Sequence, residues 1–333
     1  MDAVSPFART SAPPVLSIVV PCHNEAGNLD ALFARLGVVM QRLGVPYEIV
    51  CVDDGSRDDT VARLLAYHQA DPHIKLVELS RNFGKELALS AGLRSARGEA
   101  VVMIDADLQH PPEVIEELVE KWRQGWDMVI AARRSRAEES LAKRLNAKAF
   151  YWLFTRMSET KIRPDAGDFR LLDRKVVDVL NDMPEHTRFM KGLYSWVGFK
   201  QIAVPYDVAP RKEGKTSFSF LRLWRLALDG LTSFTTVPLE IWTLFGSLAA
   251  VLGLAYGVFL IGKTLILGID VPGYASLMVA VLFFGGIQMI TLGVFGAYLG
   301  RVFNEVKGRP LFVVRQRVGF EEEAAGQRLE RRG

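Results

Sequence analysis

Asp105 and Asp107, one alanine apart and followed by Gln109, close the apolar run Val101 to Ile104 and precede two prolines (VVMIDADLQHPP). Two carboxylates at i and i+2, with an amide oxygen two residues on, are hard donors of the kind Mg²⁺ or Mn²⁺ prefers. Such ions take one or two protein carboxylates and fill their remaining positions with water and phosphate oxygens. An Asp-x-Asp alone is equally a solvated turn that caps the helix starting near Pro112. The other acids of the chain decide between the two.

Those acids recur at one structural position. Val15 to Pro21 is an apolar strand followed by CHNEAGN, which carries Glu25, and a helix is expected from Leu29 to Leu43 with Asn28 as N-cap. Tyr47 to Val52 is a second strand, ending in Asp53 and Asp54, with a helix from about Thr60. Lys75 to Leu79 is a third, followed by Arg81 to Lys85 and a helix; the run before Asp105 is a fourth. A helix from Glu113 to Gln124 and a strand from Asp127 to Ala132, ending in Arg133 and Arg134, complete the series. This alternation predicts an α/β fold with a doubly wound, mostly parallel sheet, whose strand C-termini converge on one edge. Five acids there (Glu25, Asp53, Asp54, Asp105, Asp107) repel one another unless a cation or a donor-rich ligand sits among them. A metal–nucleotide site follows, with Lys85, Arg133 and Arg134 offsetting phosphate charge. No GxGxxG follows the first strand and no GxxxxGK[ST] occurs, so neither a dinucleotide fold nor a P-loop is supported.

The segments PCHNEAGNL, VDDGSRDDT, SRNFGKELAL and DADLQHPP, in that order and spacing, resemble the family 2 glycosyltransferases of the GT-A fold. Within that family the chain is similar to polyprenyl-phosphate glycosyltransferases, close to the bacterial bactoprenol glucosyltransferases and more distantly to dolichol-phosphate mannose synthases. The resemblance runs from about Leu16 to about Val314. It implies that Asp105, Asp107 and Gln109 hold Mg²⁺ or Mn²⁺ on a nucleotide diphosphate, with Ala106 in the same site. It implies that Pro21, Glu25, Asp53 and Asp54 line the base and ribose site, and it makes Asp168, two residues before Arg170, the catalytic carboxylate. The residues alone say that Asp168 and Arg170 share a face if extended, and that a structural ion pair would do the same. Arg211, Lys215 and Ser217, in a loop with glycine and hydroxyls, suit a phosphate. Attraction to anionic headgroups is the plainer account of those cations.

The rest of the chain points to a membrane. Net charge is only +3 and no basic stripe is interleaved with aromatics, so nucleic acid is not expected. Cys22 and Cys51 make neither a disulfide framework nor a zinc spacing. Residues 141–157 and 218–236 are basic, aromatic-rich amphipathic patterns, expected to lie at the bilayer interface. About Ile241–Leu267 and Tyr274–Leu299 are apolar spans, each longer than the roughly 20 residues needed to cross a bilayer. Positive charge flanking the pair exceeds that of the connector, which places the catalytic domain and both termini in the cytoplasm of an inner-membrane protein. Gly285, Gly286, Gly293, Gly296 and Gly300 permit close helix contact, and a homo-oligomer is expected. The expected layout is a disordered lead-in (1–14) and a catalytic domain (15–217), divided at about residue 135 into nucleotide-sugar and acceptor halves. An interfacial helix (218–236), two membrane helices (237–302) and a tail (303–333) follow. The expected reaction is inverting transfer of a sugar, glucose first, from a UDP-sugar to polyprenyl phosphate, for use by a flippase and a downstream glycosyltransferase. The alternatives are another donor, such as GDP-mannose or a UDP-amino sugar, or a non-catalytic nucleotide-sugar-binding scaffold.

Overall fold

The protein is described from a computed structural model, covering residues 14–133, 166–183, 185, 188, 190–206, 237–267 and 273–320. The lead-in, both amphipathic segments, Arg134, Arg211, Lys215, Ser217 and the tail beyond residue 320 lie outside the described residues. These fall into two compact units, a sheet and a helix pair.

The sheet unit opens with β1 (Leu16–Cys22), α1 (Leu29–Leu43), β2 (Tyr47–Asp53), α2 (Thr60–Ala70), β3 (Ile74–Leu79) and α3 (Lys85–Ser95). It continues through β4 (Ala100–Met103), α4 (Val114–Arg123), β5 (Met128–Arg133), β6 (Ala166–Asp173), α5 (Arg174–Asp182), α6 (Met190–Trp196) and β7 (Gln201–Tyr206). The helix unit holds α7 (Val237–Leu267) and α8 (Tyr274–Val306), and the chain then returns to the sheet unit as β8 (Val314–Val318). Among the described residues the strands run β7-β5-β6-β4-β1-β2-β3-β8. The β3-β2-β1-β4 block is parallel, β5 pairs parallel with β7, and β6 and β8 are antiparallel to their neighbours.

Both faces of the central strands are covered, which is why LSIVVPC and YEIVCVD are nearly continuous apolar runs. Ile18, Val20 and Cys51 pack with Leu32 and Leu36 of α1 and Ile115 and Leu118 of α4. The opposite face meets α3, where Gly92 lies so close to β1 that a Cβ there would stand 2.2 Å from Val19 Cγ1. At the other end of the strands, buried Glu48 accepts from Ser17 Oγ (2.6 Å), Lys75 Nζ (2.7 Å) and Arg97 N (2.6 Å). That carboxylate is fully paired, as burial requires.

Two features depart from the expectation. β6 enters the sheet between β4 and β5. Residues 314–318, assigned to a tail, form β8 on the edge of β3: Ser80 N donates to Val313 O (2.9 Å), while Arg315 and Gln316 donate to Glu78 (2.8 and 2.7 Å). Its polar sequence, VRQRV, is that of a one-sided edge strand, which lacks the apolar run by which the central strands are recognised.

In the helix unit, 31 and 33 residues at about 1.5 Å each exceed the ~30 Å hydrocarbon thickness. Trp242–Lys263 and Phe283–Val306 are apolar enough to cross a membrane and are not buried inside the protein. Leu244, Leu265 and Val306 are more than 70% exposed. Helices that are apolar all round and bare on the outside call for an apolar solvent.

Candidate active site

The strand order reverses between β1 and β4, and there the strand C-termini open into a cleft of about 320 Å³. Open α/β sheets bind ligands at such a point. Pro21 and Cys22 line it from the end of β1, His23 and Glu25 from the turn that follows, Asp54 from just past β2, and Asp105, Ala106 and Asp107 from the loop after β4. Asn82, Gly84, Lys85 and Ala88 come from the loop after β3 and the start of α3. Two non-glycine residues at this edge, Asn24 (φ 58°) and Leu108 (φ 59°), hold the left-handed conformation, a strain that concentrates at functional turns.

β6 supplies the missing acid. Its register pairs Met103 with Arg170; extended by two residues, the antiparallel ladder sets Asp168 beside Asp105. Lys85 Nζ bridges the two, 2.7 Å from Asp105 Oδ1 and 3.0 Å from Asp168 Oδ2. The other oxygen of Asp168 is buried without a hydrogen-bond partner. His110, also buried, lies 3.5 Å from Asp105 through Nε2 and 2.6 Å from the Tyr206 hydroxyl through Nδ1.

These contacts set the charges. Burial works against ionisation of Asp105, but the His110 and Lys85 contacts outweigh it and lower its carboxyl to about 2. Burial also opposes the charge on Lys85, yet Asp105 and Asp168 raise its ammonium well above the usual range. Glu25 is raised by burial and by the nearby Asp107 and Asp105, against a hydrogen bond from Asn28 (2.6 Å). Glu86, beside Lys85 in sequence, is pushed up to about 7 by burial and by the Asp168 charge.

Several expected residues have other placements. Asp54 lines the cleft, but its two oxygens accept from Phe83 N (2.6 Å) and Gly84 N (2.8 Å), so it holds the loop that presents Lys85. Asp53, expected in the base and ribose site, is not in the cleft wall: its Oδ2 closes the turn by accepting from Gly55 N and Ser56 N, both at 3.1 Å. Arg170, expected to be catalytic, is buried behind Asp168, its guanidinium 3.9 Å from the Tyr194 ring centroid and bonded to Gly167 O. Burial lowers its pKa. Gln109 lies outside the cleft wall, and its backbone N–H donates to Asp107 Oδ1 (3.1 Å). Arg133 ends β5 opposite Tyr206. The sequence reading missed Glu86, His110 and Tyr206. GKE and QHPP flank residues already chosen, but nothing in their spacing announced burial.

Of the five acids, Asp105 is relieved by Lys85 and His110, Asp53 and Asp54 by backbone N–H groups, and Glu25 by Asn28. Among the described residues no cluster of three acids, histidines or cysteines could enclose a metal. Two carboxylates open to the cleft fit an ion that draws its remaining ligands from water and phosphate.

The glycosyl transferase family 2 pattern matches residues 17–180. An uncharacterised glycosyltransferase of Synechocystis sp. is 56% identical over 92% of this chain and 96% of its own length. The chain belongs to glycosyl transferase family 2. The mixed sheet with helices on both faces is the GT-A architecture. The chain is also similar to a prophage bactoprenol glucosyl transferase homolog of Escherichia coli, 44% identical over 90% of this chain and 98% of its own, and to the bactoprenol glucosyl transferase of Shigella phage SfII, 43% identical over 90% and 97%. These matches extend well past residue 180, through the sheet unit's later strands and into the helix pair.

Proposed function

We propose that this family 2 glycosyltransferase is a membrane-embedded, inverting enzyme that moves a sugar, glucose first, from a UDP-sugar to a polyprenyl phosphate. The observation that carries the reading is likeness to bactoprenol glucosyl transferases along nine-tenths of the chain, cleft and apolar helices alike. The nucleotide occupies the cleft, with its base and ribose against Pro21, His23 and Glu25. Asp105 and Asp107 would hold Mg²⁺ or Mn²⁺ on the diphosphate. When bound, that ion supplies Lewis-acid stabilisation of the charge developing on the departing nucleotide. Lys85 adds a cation beside the same phosphates.

A phosphate monoester has its second pKa near 6, so the acceptor oxygen is already anionic at pH 7 and needs alignment more than deprotonation. Asp168 orients the acceptor side of the cleft through Lys85. Arg170, held by Gly167 O and the Tyr194 ring, supplies a buried positive charge near Asp168. Arg133, Arg211, Lys215 and Ser217 are assigned to the phosphates by the sequence pattern alone.

Family membership and two exposed apolar helices support association with a membrane. We extend this to two crossings of the inner membrane with the sheet unit in the cytoplasm, to self-association through the glycine-rich α8, and to delivery of the product to a flippase and a second transferase. The domain boundaries at 217, 236 and 302 belong to the same proposal.

The deciding experiment offers purified protein in detergent undecaprenyl phosphate and labelled UDP- and GDP-sugars, with Mg²⁺ or EDTA. One lipid-extractable product, lost with EDTA, is expected from a UDP-sugar. Nucleotide-sugar binding without any lipid product would replace this reading with a binding scaffold.

A further inference from the structure

The ammonium of Lys85 stands where a divalent ion on Asp105 would put its charge. It lies 2.7 Å from one Asp105 oxygen and 2.8 Å from the other, and reaches Asp168 at 3.0 Å. The lysine is built into place. It opens α3, and the backbone N–H groups of Phe83 and Gly84 just before it are gripped by buried Asp54. The lysine side chain remains 44% exposed against 14% for Asp168, so it can move while the loop stays anchored. Asp107 is the other cleft-facing carboxylate of the pair, and one of its oxygens is taken by Gln109 N. An ion arriving alone therefore finds one free-facing acid and another already neutralised.

Resting on the proposed reaction, we propose that Lys85 takes the divalent ion's place on Asp105 in the nucleotide-free enzyme. The ion then gains Asp105 only together with the diphosphate, whose oxygens receive the displaced ammonium while Lys85 keeps Asp168. The diphosphate makes the exchange balance: the ammonium's +1 leaves Asp105 as the ion's +2 arrives, and the phosphate oxygens take up the added positive charge while the lysine exchanges a carboxylate for a phosphate. It makes ion and nucleotide mutually dependent ligands, and linkage requires that dependence to be equal in both directions.

The test is Mn²⁺ binding to the full-length protein in detergent, read from the Mn²⁺ paramagnetic resonance signal without nucleotide. Wild type is expected to bind weakly. Lys85→Met, which keeps an unbranched side chain one atom shorter and removes its charge, is expected to bind nucleotide-free Mn²⁺ at least roughly tenfold more tightly, since a competing cation is gone. Adding Asp105→Asn to Lys85→Met should abolish the gain, and Lys85→Arg should not show it. Lys85→Gln carries the same prediction as Lys85→Met should the latter melt at a lower temperature than wild type. Equal or weaker Mn²⁺ binding by Lys85→Met and Lys85→Gln overturns the exchange. A wild type that binds no Mn²⁺ even with UDP present would overturn the metal-dependent reaction itself, a separate outcome.

Discussion

A carboxylate with one oxygen on a lysine and the other buried and unpaired is poised to accept one more donor, and Asp168 is in that state. Asp168→Asn keeps the volume and removes the charge. It is expected to lower kcat by about a hundredfold or more while UDP binding stays within a few-fold of wild type, since the nucleotide site lies on the β1, β2 and β4 side. Steady-state rates paired with UDP titration separate the two effects. Glu86 makes a pH prediction. Its carboxyl is pushed up to about 7 from an ordinary 4.5, so the native state holds a proton that the unfolded chain releases. Stability from this group falls as pH rises from about 4.5 to about 7, and the penalty is complete above that. Glu86→Gln, whose amide oxygen can still accept from Met190 N, is expected to raise stability above pH 7 by about 2 kcal/mol after allowing for partial exposure. At pH 4 it should change little. Melting curves at pH 5 and pH 8 check the sign. Asp105 runs the other way: with its carboxyl lowered to about 2, its contribution is present above its ordinary value near 3.8 and is lost as pH falls toward 2.

At the scale of elements, α3 is the hinge between packing and chemistry, because the helix that carries Lys85 also lies on β1 through Gly92. A Cβ at 92 would meet Val19 Cγ1 at 2.2 Å and Val52 Cγ2 at 3.2 Å. Gly92→Ala is therefore expected to cost about 1–3 kcal/mol and to move Lys85 with the helix. Gly37→Ala in α1, where a Cβ meets nothing within 4 Å, is expected to be neutral or to stabilise by up to about 1 kcal/mol. Thermal melts of the two variants give the contrast. These elements also show what was legible. The strands β1, β2 and β4 declared themselves, because a strand buried on both faces must be an apolar run, and their acids followed from where such runs stop. The meeting of Asp168 with Asp105 was not legible. It depends on an antiparallel pairing between segments more than sixty residues apart, which no local period encodes. Asp53 and Asp54 look equivalent in sequence, and only the turn geometry turns one inward to Gly55 and Ser56 and the other to the Lys85 loop. Glu86 and His110 acquire their environments from α6 and β7, elements remote in the chain.

At the scale of the whole molecule, the chain leaves the sheet unit, forms two long apolar helices, and comes back to add β8. Ending the chain at residue 309 would strip the edge of β3 and leave buried Glu78 without Arg315 and Gln316. A lower melting temperature and greater aggregation of the truncated protein are expected, measured by thermal scanning and light scattering. Glu78→Ala in the full chain should reproduce part of the loss, on the order of 1–2 kcal/mol. The return of β8 also sets an order of events during synthesis. A ribosome releases β1 to β7 early, yet the sheet keeps an open edge until α7 and α8 have been made. The last described strand of the sheet unit is encoded downstream of both apolar helices, so the sheet is completed only after they have been made. A molecule arrested before that step presents a bare strand edge, the feature by which an unfinished protein betrays itself.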